Sequence, residues 1–234
     1  SLGENEGKEV LLAALRDPYF KVRNMALERL SDFSLSKKEL AQVEKLATSD
    51  PSNIAKSAAI WVLSSSKENK HYTALYEKAL TTPSGAVKNA ALNAIAHTNP
   101  KRAKDFLEKA DPKELEIDQL AGLTGVIADN KMTQYLPTLM PYLVNYPFLE
   151  EDNPEIAADF KKAYLWAMSL DSKDLVEQMQ KAYKDFTQEE NGDKAKQALW
   201  KVIDEGIAQK KKLTSTATIK EQIQMLEELK SKIR

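Results

Sequence analysis

Three stretches of the chain place apolar residues at the same steps behind a proline. They are DPYFKVRNMALERL at 17–30, DPSNIAKSAAIWVL from Asp50 and TPSGAVKNAALNAI from Thr82. Registered on Pro18, Pro51 and Pro83, they lie 33 and 32 residues apart. Four positions after each proline stand Val22, Ala55 and Val87, and the next column holds Arg23, Lys56 and Lys88. Further on come Ala26, Ala59 and Ala91, then Leu27, Ile60 and Leu92, then Leu30, Leu63 and Ile95. Steps of four and eight return to one side of a helix and a step of five widens it, so each segment is apolar over a broad arc. Such a helix is expected between neighbours on more than one side.

The proline reads as a helix start, because its missing N–H is harmless in a first turn and the Asp or Thr before it can cap free amides. A second helical segment precedes each turn. It carries Val10, Val43 and Leu75 eight residues before the proline, and Ala14, Ala47 and Ala79 four before it. The unit is therefore helix, turn, helix, with repeats near 8–31, 36–65 and 69–98. A fourth, at 99–130, turns at Pro112 and carries Ile117, Leu120 and Ala121, but has Asp118 in the basic column and glycines at 122 and 125. Beyond 130 the period is lost while helical patterning continues through about 132–143, 156–168, 175–186 and 195–207, to a last helix with Ile219, Ile223, Leu226, Leu229 and Ile233. The expected fold is all-α: an α-α superhelix of antiparallel helix pairs over 1–130, with an irregular helical continuation and cap over 131–234, in eleven or twelve helices.

Composition narrows the class further. Hydrophobic residues are 42% and charged residues 29%, with seven glycines, nine prolines and a net charge of −1, the profile of a soluble helical protein. Near neutrality gives no steering toward nucleic acid or anionic membrane. The basic run QKKKL at 209–213 reads as the solvated end of a helix. Without cysteine there is no disulfide scaffold, thiolate chemistry or cysteine-ligated zinc. No apolar run approaches the ~20 residues that cross a bilayer, and SLGENEGKE lacks the layout of a signal peptide. It looks like an artificial boundary or a cleaved end, and the compartment stays open between cytoplasm and periplasm.

The proline turn followed by V-R, A-K or V-K, then alanine and a large aliphatic, resembles the second helix of HEAT repeats, over about 8–98 and partly to 130. The resemblance implies a stacked solenoid in which the turn Asp and the basic residue of the second helix form a ladder between units. Here that ladder would use Asp17 and Asp50 with Arg23, Lys56 and Lys88, and Thr82 departs from it. GKEVLLAALRDPYFKVRNMALERL and the helical tail also resemble the C-terminal, HEAT-like region of bacterial zinc aminopeptidases of the aminopeptidase N type. That likeness implies an accessory module of a peptidase whose metal site lies on another part of the polypeptide.

Catalytic constellations are missing from the sequence itself. A zincin needs two histidines one turn apart, whereas His71 and His97 are distant and read as ordinary helix-end residues. The carboxylates of FLEEDNPE at 148–155 and TQEENGD at 187–193 are adjacent rather than opposed, so they suit the N-termini of the helices that follow better than glycosidase or calcium chemistry. LSSSKENK at 63–70 reads as a polar inter-helix loop. Gly122 and Gly125 lie in an apolar run without a phosphate-binding Lys, which points to close helix packing.

Pro137 and Pro141 should interrupt a helix in YLPTLMPYLVNYPFLEEDNP at 135–154. Tyr142, Tyr146 and Phe148 then stand by a turn, where they either anchor a partner or fold back onto the core. The last helix either seams against a partner or closes the array, and closing is the preferred reading. Trp61, Trp166 and Trp200 are expected in the core.

The functional expectation is a non-catalytic interaction or bracing module with no cofactor of its own. Its partner would be a protein or peptide, including an N-terminal catalytic domain of the same polypeptide, and neither nucleic acid nor membrane. A freestanding scaffold or adaptor is the alternative. The candidate concave-face or interface residues are Arg23, Asn24, Lys56, Ser57, Lys88 and Asn89, with Tyr146 and Phe148.

Overall fold

The structure, a computed structural model, describes residues 2–186 and 193–233. Among them there is no strand, and they form fourteen α-helices and two 3-10 turns. The count exceeds the expected eleven or twelve because proline-opened segments make short helices of their own. Packing divides the chain into two compact units, Ser1–Phe106 and Leu107–Arg234. The division falls inside the segment read from sequence as a fourth repeat.

The first unit contains α1 (Leu2–Ala14), α2 (Phe20–Leu30), α3 (Lys37–Ser49), α4 (Asn53–Ser65), α5 (Thr73–Ala79), α6 (Gly85–Thr98) and most of α7 (Pro100–Leu107). Helices α1 and α2, α3 and α4, and α5 and α6 pack as pairs, and the second members stack, α2 on α4 and α4 on α6. This is the sandwiching that the broad apolar arc demands. Ala26, Leu27, Leu30, Ala55, Ala59, Ile60, Leu63, Val87, Ala91, Leu92 and Ile95 are all buried. Alanine in the step-four column lets the helices approach closely, while the step-five and step-eight columns supply bulk. Five residues of the apolar columns are not fully buried, among them Ala14, Leu75 and Ala79 of the first helices, which are half-buried. Val22 is only half-buried, and Val10, expected inward on α1, is 68% exposed. Both stand in the first pair, where α2 has a stacked second helix on one side only.

The proline does not occupy the first helical turn. Helix α2 has Tyr19 as N-cap, α4 has Ser52 and α6 has Ser84, so each proline precedes the cap by one residue. The residue before it closes the turn through its side chain. Asp17 Oδ1 accepts from the Tyr19 amide at 2.7 Å, Asp50 Oδ1 from Ser52 at 2.8 Å, Thr82 Oγ1 from Ser84 at 3.5 Å and Asp111 Oδ1 from Lys113 at 2.9 Å. The side chain thus builds an Asx-type turn rather than a helix cap.

The second unit contains α8 (Ile117–Asp129), α9 (Leu136–Leu143), α10 (Tyr146–Leu149), α11 (Pro154–Met168), α12 (Lys173–Phe186), α13 (Asp193–Lys210) and α14 (Ala217–Lys232). Its centre is α11, which packs against α8, α9, α10, α12 and α13. Pro137, Pro147 and Pro154 lie in first turns, and only Pro141 sits inside a helix. Helix α14 lies on α12 and α13 and buries Ile219, Leu226, Leu229 and Ile233. Its apolar face is therefore used within the unit, as closure rather than as a free seam.

Candidate interaction surface

The basic column of the second helices is where the units of the array are tied together. Arg23 grips Asp50 of the next pair with two arms, Nε to Oδ2 and Nη2 to Oδ1, each at 2.7 Å. Its remaining nitrogen, Nη1, donates to the carbonyls of Asp17 and Pro18 at 2.8 and 3.0 Å. The pair is almost closed to solvent, with 8% and 1% of the two side chains exposed. Burial pushes the Asp50 carboxyl up, but the hydrogen bonds from Arg23 and the Ser52 amide outweigh it and hold it below the ordinary carboxylate range. The bond to Asp50 raises Arg23 in turn, against burial.

Lys56, one unit on, lines a small cleft with Thr82 at the α5–α6 turn, and a hydroxyl there carries no charge to complete a second rung. Asp17 contributes to the ladder through its carbonyl. Arg23 is thus an interior fastening and not a contact residue on an open face.

The open face of the stacked second helices lies in other columns. On α2 and α4 the positions three, six, seven and ten after the proline fall opposite the buried arc, whereas on α6 the corresponding Ala90 and Asn93 are buried. In α2 these are Lys21, Asn24, Met25 and Glu28, and in α4 they are Ile54, Ser57, Ala58 and Trp61. Met25 is 64% exposed, Ile54 51% and Trp61 46%. Asn24 donates to Glu28 on its own helix at 2.7 Å. Ser57 and Lys88 are half-buried. Asn89 is also half-buried, and its Oδ1 is enclosed without a hydrogen-bond partner. Trp61 therefore belongs to the surface and not to the core. The register carried this signal: Ile54 and Trp61 fall seven residues apart, outside every core column, yet apolar composition around Trp61 masked it.

In the second unit the aromatic segment divides between core and surface. Tyr146 is fully buried, tilted against Tyr164 at 6.1 Å between ring centres. Its hydroxyl donates to Glu205 Oε2 at 2.8 Å, and Lys161 reaches Oε1 of the same carboxylate at 2.9 Å. Lys161 and Lys201 both stand near the Tyr146 ring. Burial, then the bond to Glu205, pushes the Tyr146 hydroxyl well above the ordinary phenol range. Tyr146 is accordingly a core anchor, while Phe148, 36% exposed, stays at the surface with Tyr142.

Other sequence expectations resolve locally. Gly125 faces the Asp159 carboxylate so closely that a Cβ would meet it at 2.7 Å from Cγ, which is the close packing expected there. Glu155 lies in the first turn of α11 and Asp193 in that of α13, as their charge suggests. Residues 187–192 of TQEENGD lie outside the described residues. His97 closes α6 and His71 lies in the 3-10 turn against Tyr72. Trp166 is buried, whereas Trp200 is 37% exposed with Lys196 and Lys230 over its ring.

QKKKL is not wholly solvated. Lys210 is fully buried and donates to the Leu170 carbonyl just past α11, with its amine pushed down to about 8 by burial against the pull of Asp171. Among the described residues, no three His, Asp or Glu side chains gather as a metal site, and no helix is long and apolar enough to cross a membrane.

No family model matches the chain, and no curated protein matches it. Among solved structures, an X-ray structure of YibA from Escherichia coli is similar over 95% of this chain and 82% of that one, at 15% identity and a TM-score of 0.47. The paired helices of the first unit and the α11-centred bundle of the second follow from this chain's own packing.

Proposed function

We propose that this chain is a non-catalytic interaction module whose stacked second helices present a protein-binding face. The observation that carries the reading is the exposure of Met25, Ile54 and Trp61 on the side of α2 and α4 away from the core. Tryptophan supplies large contact area at small ordering cost, and a few such anchors dominate the energy of an interface. Asn24, Ser57 and Asn89 supply polar surroundings, and a helix-pair array offers a long rigid wall. A photo-crosslinking residue at position 61 is expected to capture a specific partner in cells, while one at Lys38 on α3 does not. Trp61→Ala should weaken that binding by about tenfold or more without changing the melting temperature. Equal capture from both positions, or none at 61, refutes the reading.

The finer reading, an accessory module of a zinc aminopeptidase, is supported by the sequence resemblance alone. The parent gene decides it: a zinc-binding H-E-x-x-H motif upstream is expected, and a gene without one removes the peptidase and leaves a freestanding scaffold. Partner and ligand classes follow the interaction reading: protein or peptide, with no cofactor bound by this chain.

A further inference from the structure

The first unit also carries a groove apart from the Trp61 face. It has a volume of about 650 Å³ and runs between the α1–α2 turn and α3. Its apolar bed is formed by Leu15, Ala41, Leu46 and Pro51, and Arg16 and Lys45 stand along it. The one carboxylate in its lining, Asp50, is already neutralised by Arg23 at the floor and accepts the Ser52 amide as well. Arg16 and Lys45 are exposed and come from successive helix pairs, so the groove's lining presents two cations beside an apolar strip and no carboxylate besides the paired Asp50.

We infer that this groove docks a short peptide segment in which acidic residues flank an apolar side chain. The apolar residue lies along Leu15, Leu46 and Pro51, and the carboxylates reach Arg16 and Lys45. The chemistry follows from charge complementarity. A basic segment would meet like charge, and a purely apolar one would leave both cations without a counter-charge at the rim. Guanidinium at position 16 also favours a planar, two-pronged acceptor, which a carboxylate provides. Because the cations are exposed, they set on-rate and selectivity more than affinity, and the apolar bed carries the residence time.

This inference rests on the interaction reading, and one experiment separates the two. A random short-peptide phage library is panned on the purified chain, in parallel with the Arg16→Glu/Lys45→Glu and Trp61→Ala variants, each checked for an unchanged melting curve. Recovered peptides are expected to place Asp or Glu beside an apolar residue. As synthetic peptides they should lose about tenfold or more in affinity on the double charge reversal and weaken as salt rises. They should bind the Trp61→Ala variant as they bind the parent. Peptides that depend on Trp61 and ignore the charge reversal overturn the groove and leave the interaction reading standing. Peptides without acidic enrichment, or no peptides at all, also overturn the groove, while the crosslinking at position 61 judges the wider reading independently.

Discussion

The two units reach a buried core by different chemistry. In the first, small and aliphatic side chains recur in register, and the largest polar feature inside is a single ion pair, Arg23 with Asp50. In the second, hydroxyls and amines enter the interior one at a time, and four of them find their own backbone or carboxylate acceptor. Tyr135 donates to the Leu107 carbonyl at 2.6 Å, Tyr164 to Val202 at 2.7 Å, Tyr146 to Glu205 and Lys210 to Leu170. A repeat can reuse one packing solution at each step, so it needs few individual fastenings. An irregular bundle around α11 has no such economy, and its polar interior fixes which helix meets which.

The sharpest way to break the contrast is at the ion pair. Arg23→Ala or Asp50→Ala leaves the other charge enclosed and should cost roughly 3–5 kcal/mol, read by urea unfolding of the first unit. Replacing both together, Arg23→Met with Asp50→Leu, should recover most of that loss, because a buried pair adds little over well-packed apolar groups. If the single and double variants lose the same amount, the pair specifies the stacking and not merely its own neutrality. The sign with pH follows from Asp50, whose folded value lies below its unfolded one. Its contribution is complete above the unfolded carboxylate value of about 4 and disappears as pH falls through the folded value. Asp50→Asn should flatten that part of the acid-unfolding curve.

A smaller effect tests the second unit's dependence on individual contacts. A Cβ on Gly206 would meet the Tyr164 hydroxyl and, at 3.5 Å, Met168. Gly206→Ala gains helix propensity of up to about 1 kcal/mol, yet the overpacking against an occupied hydroxyl costs roughly 1–3 kcal/mol, so a net loss of melting temperature is expected. In a Tyr164→Phe background the same change should be milder. Equal losses in both backgrounds would mean that the backbone of α13, and not the hydroxyl, resists the methyl group.

How much of this was legible follows the same division. The core columns of α2, α4 and α6 could be read because period fixes orientation: one register on Pro18, Pro51 and Pro83 assigned Ala59, Ile60 and Leu63 together. Even the site was partly legible, since Arg23 stood where a ladder was expected. Its meeting with Asp50 removes it from the surface. For Tyr146 the sequence offers both an inward and an exposed reading, because its partner Glu205 is distant in sequence and nothing local decides between them. Lys210 sat within a basic run whose neighbours, Lys211 and Lys212, are exposed. No one-dimensional pattern tells which lysine of three turns inward.

Lys210 gives the next prediction. Its amine titrates near 8 when folded and near the ordinary lysine value when unfolded. Below pH 8 both states hold the proton and the folded chain carries the full cost of enclosing the charge. As pH rises from 8 toward the unfolded value, the native state releases a proton that the unfolded chain keeps, so stability increases. Lys210→Met should abolish that increase and leave the second unit about 1 kcal/mol more stable at pH 7, since the apolar stem is retained. Unfolding measured at pH 7 and again near pH 9.5 checks it. A variant that keeps the full rise would assign the titration to another group.

The finest comparison sets matched tyrosines from the two units side by side. Tyr76 in the first and Tyr183 in the second are both buried with hydroxyls that meet no hydrogen-bond partner among the described residues. Burial pushes both phenols upward. Removing an enclosed, unsatisfied hydroxyl relieves its desolvation, so Tyr76→Phe and Tyr183→Phe should each leave stability unchanged or raise it by up to about 1 kcal/mol. Tyr135→Phe, by contrast, deletes a made bond to Leu107 and should lower stability by about 1 kcal/mol. If Tyr76→Phe and Tyr183→Phe destabilise as much as Tyr135→Phe, their hydroxyls are bonded through enclosed water. The first unit would then hold a polar fastening of the kind that otherwise marks the second.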